Sequence, residues 1–165
     1  MGCDNIVDDG FQSLEALISL SWCCCDNFKD AGVQVLAAIA SLRQLNLGGC
    51  VNITDASLQL LTMLIDLQKL DFGCCEITDS GLRSLAMLTN LPLLDCGCCC
   101  SITDAGVQSL AATGLQQLKL SCCLNITDAS LHSLATLTSL QNLNLSGCFE
   151  VTDAGLQSLI MLTGL

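Results

Sequence analysis

Tyrosine is absent from this 165-residue chain, and tryptophan, proline and histidine each occur once. Tight protein interfaces usually centre on Trp, Tyr or Arg, so an aromatic-anchored contact is not expected. A single histidine, His132, leaves no histidine pair for a metal. With no convergent partner in the pattern, a cysteine–histidine nucleophile pair would need an accident of geometry. His132 aligns with Gln12, Gln34, Gln59, Arg83, Gln108 and Gln157, which reads as a solvent position. Basic residues number five (Lys29, Arg43, Lys69, Arg83, Lys119) against 16 acidic ones, a net charge of -11. Phosphate neutralisation needs clustered Lys and Arg, so no nucleic-acid partner is expected. Long apolar runs are missing too. The best candidate, residues 129–149, is nearly half Ser, Thr, His, Asn and Gln, a poor membrane span. The opening MGCDNIVDD has no basic or apolar signal region. Its Gly2-Cys3 start lacks the Ser or Thr that myristoylation wants at position 6. The glycines form no phosphate-binding loop, and no cofactor is expected.

What is present is a period. Seven aspartates, Asp8, Asp30, Asp55, Asp79, Asp104, Asp128 and Asp153, open similar strings at spacings of 22, 25, 24, 25, 24 and 25. A second series, Cys25, Cys50, Cys75, Cys99, Cys123 and Cys148, is spaced 25, 25, 24, 24 and 25. Two independent markers on one period identify a repeat array. Each unit begins with LxxLxLxxC, as in LRQLNLGGC (residues 42–50), whose L-x-L alternates as a short strand does. The half opening at each Asp places Leu58, Leu61 and Leu64 on one predicted helix face. The Asp itself is the expected N-cap. Seven of the 16 acidic residues are thereby assigned to repetition rather than to an acidic patch.

A strand and a helix cannot bury their own apolar faces, but stacked units can. The pattern LxxLxLxxC followed by (I/V)TD(A/S)(G/S)L resembles the cysteine-containing leucine-rich repeats, found in F-box substrate receptors and in many bacterial and protist proteins. The resemblance covers essentially the whole chain. It implies an α/β fold: a right-handed, curved leucine-rich-repeat solenoid with a concave parallel sheet of about six short strands and about seven convex helices. The domain expected is a single array over residues 1–165 without dedicated terminal caps. No F-box-like segment precedes the repeats, so ligase assembly is not expected.

Cysteine is abundant, at 14 residues. The repeated column reads as small buried hydrophobes after each strand, receiving loop N–H groups. With no secretion signal, the thiols point to a reducing, intracellular and cytoplasmic setting. Cys24, Cys74, Cys98 and Cys122 stand one place earlier, where two units carry Gly49 and Gly147. Cys74, Cys98 and Cys122 should stack in a column, with Cys100 nearby. They are candidates for a soft metal, or simply reflect tolerance of small residues at a turn edge. Trp22 falls in the inward column with Leu47, Phe72, Cys96, Leu120 and Leu145 and reads as a core plug. Pro92 sits at a strand entrance, which proline tolerates.

The outward strand positions are where function is expected. The candidate partner-binding residues are Arg43, Gln44, Asn46, Lys69, Asp71, Leu93, Asp95, Gln117, Lys119, Asn142 and Asn144. Asp71 and Asp95 are adjacent, but an exposed pair without a pocket does not make an acid–base site. No catalytic residue and no enzyme activity is expected. The leading expectation is a protein-interaction module binding an unidentified protein or peptide on the strand face. The alternatives are an array that self-associates through its ends and a cysteine protein that binds metal or responds to redox state. The column Cys23, Gly48, Gly73, Gly97, Ser121 and Ser146 is small throughout. It would serve either the approach of a partner backbone or the geometry of a turn.

Overall fold

A computed structural model describes residues 17–165. The helix expected at Asp8 and the Gly2-Cys3 start lie outside the described residues. Six three-residue strands follow the L-x-L motifs: β1 Ser19–Ser21, β2 Gln44–Asn46, β3 Lys69–Asp71, β4 Leu93–Asp95, β5 Gln117–Lys119 and β6 Asn142–Asn144. Six helices alternate with them: α1 Asp30–Leu36, α2 Asp55–Leu61, α3 Asp79–Leu85, α4 Asp104–Ser109, α5 Asp128–Leu134 and α6 Asp153–Ser158. Short 3-10 turns, Leu110–Ala112 and Leu159–Met161, extend α4 and α6. The strands pair in parallel and in chain order as one sheet, and helix packs on helix along the other wall. This is the expected leucine-rich-repeat solenoid. No helix among the described residues is long and apolar enough to cross a membrane.

The core runs the length of the array between sheet and helices. Leu45, Leu70, Leu94 and Leu118, the inward residues of β2 to β5, are buried, as are Leu58 and Leu61 of α2. The helices are shorter than the leucine stripe suggests. Leu64 is buried, but it lies in the turn beyond α2, where its N–H donates to Leu61 O at 2.9 Å. Trp22 is the core plug expected, stacked on Phe28 with ring centroids 4.9 Å apart. At Pro92, with no N–H to give, the strand entry relies on Leu93 N donating to Gln68 O at 3.3 Å.

The expected aspartate caps are a correction. In α2 to α6 the N-cap is the preceding threonine (Thr54, Thr78, Thr103, Thr127, Thr152). Its side chain accepts the N–H two residues on, as Thr103 Oγ1 does from Ala105 N at 3.2 Å. The aspartate is the first helical residue and reaches to the next repeat. Asp79 accepts from Thr103 N at 2.7 Å and Thr103 Oγ1 at 2.6 Å, and Asp30, Asp55, Asp104 and Asp128 repeat this arrangement. Each carboxylate therefore clamps one repeat to the following one. Ser57 and Ser130 add a hydroxyl to the clamps of Asp30 and Asp104. Where that position is glycine, the aspartate fills the space: a Cβ on Gly106 would collide with Asp79 Oδ1.

Partial burial pushes the Asp30 and Asp104 carboxyls up. The hydroxyl and backbone bonds from the next repeat outweigh it and hold both below the usual carboxylate range. Asp128, bonded first by the Thr152 hydroxyl, is also lowered.

Candidate functional site

The outward columns lie in the expected register. Gln44, Lys69, Leu93, Gln117 and Asn142 pair in sequence, and so do Asn46, Asp71, Asp95, Lys119 and Asn144. Gln44, Lys69, Gln117, Lys119 and Asn142 are exposed, whereas Asn46, Asp71, Leu93, Asp95 and Asn144 are half-buried. Arg43 lies at the strand-entry rim. It donates to Ala40 O at 3.2 Å and pairs with Asp66 at 3.2 Å, so it is already anchored.

The half-buried column has a structural duty that the sequence reading missed. Asn46 Oδ1 accepts from Gly48 N at 2.9 Å, Asp71 Oδ1 from Gly73 N at 3.0 Å, Asp95 Oδ1 from Gly97 N at 3.1 Å, and Asn144 Oδ1 from Ser146 N at 2.9 Å. These are Asx turns that end each strand. The signal was available as N-x-G, D-x-G and N-x-S immediately after the strands. Lys119, which cannot accept, instead pairs with Asp95 Oδ2 at 2.9 Å. This bond, chiefly, raises the Lys119 pKa. Asp71 is raised above the usual carboxylate range. Burial is the main cause, Gly73 N–H opposes it, and the neighbouring Asp95 charge adds to it.

The small column is settled by the same turns. Its carbonyls continue the inter-repeat ladder: Gly48 O accepts from Cys24 N at 2.8 Å, Gly97 O from Cys74 N at 2.8 Å, and Ser121 O from Cys98 N at 2.6 Å. A Cβ on Gly97 would meet Ser121 Oγ at 2.6 Å. Packing at the turn demands small residues here.

The repeated cysteines behave differently from the expectation that they receive loop N–H groups. They are buried, but they donate. Cys50 Sγ donates to Trp22 O at 2.7 Å, Cys75 to Leu47 O at 3.3 Å, Cys99 to Phe72 O at 3.4 Å, Cys123 to Cys96 O at 3.2 Å and Cys148 to Leu120 O at 3.0 Å. Each thiol thus satisfies a carbonyl of the preceding repeat. Burial pushes the Cys50 thiol up to about 11 and those of Cys75 and Cys123 to about 12, which keeps the S–H donors protonated.

The column one place earlier is not explained by small-residue tolerance. Cys24, Cys74, Cys98 and Cys122 have φ of 59°, 60°, 60° and 56°, and Gly49 and Gly147 in the same column have 75° and 77°. The turn requires left-handed backbone, which costs a non-glycine residue about 1–2 kcal/mol. These four cysteines are exposed, and so is Cys100. All thirteen cysteines among the described residues are free. Among the described residues, no group of three or more His, Cys, Asp or Glu is arranged to hold a metal ion. His132 is exposed on α5, its Nδ1 2.7 Å from Asp128 O.

Three segments, residues 39–61, 65–86 and 136–159, match the family described as Leucine Rich repeat. None of the curated proteins matches the chain. Among solved structures, the fold resembles internalin C2 of Listeria monocytogenes, with 24% identity and a TM-score of 0.70 over 100% of this chain and 76% of that one. A second Listeria monocytogenes internalin shares 21% identity and a TM-score of 0.55, over 89% of this chain and 45% of that one. TLR13 in complex with ssRNA13 shares 24% identity and a TM-score of 0.51, over 76% of this chain and 18% of that one. Three repeats match the family model, and period and fold agree with it: the chain folds as a leucine-rich-repeat solenoid and is rich in cysteine.

Proposed function

We propose that the chain is a non-enzymatic protein-interaction module that binds a protein or peptide across the outward face of β2 to β6. The observation that carries this reading is the outward column of exposed Gln44, Lys69, Gln117 and Asn142 around half-buried Leu93. It is held in register by an unbroken backbone ladder, yet its side chains carry none of the turn or clamp bonds. The adjoining Asp95–Lys119 pair gives that face mixed charge around the half-buried Leu93. Amide groups and both signs of charge suit a polar peptide and a modest affinity. The net charge of -11 favours a protein over a nucleic acid. The free thiols, with buried ones serving as S–H donors, suit a reducing intracellular setting.

The test is selection of a displayed peptide library on the wild-type protein. Lys69→Glu with Leu93→Arg should abolish capture of the selected peptides, whereas Arg83→Glu on α3 should leave it intact. Equal capture by both variants would sink the reading.

A second reading, self-association of copies, has its own observation. Beyond α6, Ile160 and Met161 are each 79% exposed, and Leu156 and Leu165 line a cavity beside them. Light-scattering mass that grows with concentration, and that Ile160→Lys prevents, would favour it.

A further inference from the structure

Cys74, Cys98 and Cys122 occupy consecutive rungs of one ladder, each N–H donating to the carbonyl just before the next rung's residue: Cys74 N to Gly97 O at 2.8 Å, Cys98 N to Ser121 O at 2.6 Å and Cys122 N to Ser146 O at 2.8 Å. All three are exposed, and all three sit on left-handed backbone. Their closely matched φ values of 60°, 60° and 56° send the three Cα–Cβ bonds off the ladder in the same direction. Neighbouring parallel rungs lie roughly 4.8 Å apart, within the range of Cα separations, about 4.4–6.8 Å, that a disulfide spans. Cys24 and the far side of Cys122 face Gly49 and Gly147 instead, so the thiol run is confined to these three rungs. Cys100 bonds back to Cys98 O at 3.7 Å and is one candidate competitor. The buried cysteines are engaged with carbonyls and held protonated, which removes them from exchange chemistry.

We propose that Cys98 is the shared thiol of a reversible redox site, closing a disulfide with either Cys74 or Cys122 but never with both. The oxidant class is a low-molecular-weight disulfide such as glutathione disulfide. One thiolate of the pair attacks it, forming a mixed disulfide and releasing one glutathione thiolate, which takes up a proton. The adjacent thiol, losing its proton, displaces the second glutathione and closes the protein disulfide. Two cysteine thiols lose two electrons and two protons, and one glutathione disulfide becomes two glutathiones. The site shares a groove wall with Asp71 and Asp95, so its oxidation state is presented beside the proposed partner face.

The chain supplies a clean assay, because Lys69, Arg83 and Lys119 place Cys74, Cys98 and Cys122 on three different tryptic peptides, 70–83, 84–119 and 120–165. The reduced, folded protein is treated with glutathione disulfide, alkylated and digested. The expected result is peptide 84–119 linked to 70–83 or to 120–165, with two thiols lost per molecule. Cys98→Gly should abolish both links, and Cys74→Gly should move all linkage to 120–165. Glycine already occupies this column twice, so these variants suit its backbone. Glutathione adducts without cross-links, or cross-links that survive Cys98→Gly, would overturn the proposal.

Discussion

Replacing Asp104 by alanine removes the acceptor for four hydrogen bonds from the next repeat: Thr127 N at 2.8 Å, Thr127 Oγ1 at 2.7 Å, Ser130 N at 3.2 Å, and Ser130 Oγ. Bonds to a charged group contribute about 1.5–3 kcal/mol each when buried, and less here because Asp104 is only half-buried. Thr127, also half-buried, can turn to water. Ser130 is fully buried, and its orphaned hydroxyl costs about 1–3 kcal/mol. A net loss of about 3 kcal/mol follows, a large share of the 5–15 kcal/mol that typically holds a domain together. At about 2–4 °C per kcal/mol for a chain of this size, Tm should fall by about 6–12 °C. Asp153 provides the internal control. It holds the same first helical position in α6, but no hydrogen bond to a following repeat occupies it among the described residues. Asp153→Ala should cost only the few tenths of a kcal/mol of an exposed charge at a helix N-terminus. Urea unfolding in reductant, followed by circular dichroism, measures both. Equal losses for the two variants would mean that each aspartate serves its own helix, and the clamp would be refuted.

Other predictions follow from the same geometry. Asp30, Asp104 and Asp128 are held below the usual carboxylate range, so their contribution is present above about pH 4 and lost as pH falls through their lowered values; Tm measured from pH 6 to pH 2 should drop at the acid end, and less steeply in Thr152→Val with Ser130→Ala. Gly106→Ala drives a methyl against Asp79 and should cost more than Gly106→Ser, whose hydroxyl can donate to that carboxylate as Ser57 does to Asp30; urea midpoints compare them. Cys122→Gly relieves a left-handed backbone at a known cost in glycine entropy, so it should leave stability unchanged or raise it by about 0.5 kcal/mol; a clear loss in the urea midpoint would count against the backbone argument.

Strands, register and inward columns were legible because a period of two and a repeat of 24–25 residues leave little freedom. Once Leu45 points inward, Gln44 and Asn46 must point outward. The capping residue was misread because Thr and Asp are both good caps and stand side by side. Local preference cannot choose between them, and the partner that decides lies one repeat away. The clue was the Gly or Ser two places after the Asp, which makes sense only if another carboxylate fills that space. The candidate face was legible as a surface but not in its division of labour. Asn46, Asp71, Asp95 and Asn144 looked like recognition residues, and their Asx-turn role shows only when the following N–H is placed. Likewise Gly49 and Gly147 already marked the left-handed column that four cysteines share.

The clamp runs one way, from each carboxylate to the threonine of the succeeding unit, and the Thr-Asp step is the coupling that joins units. Excising residues 79–103 would bring Thr78 directly before Asp104. Asp55 would still hold Thr78, and Asp104 would still hold Thr127. The array therefore behaves like a train whose carriages each carry the same hook at one end and the same eye at the other, able to lose or gain a carriage without any coupling being recut.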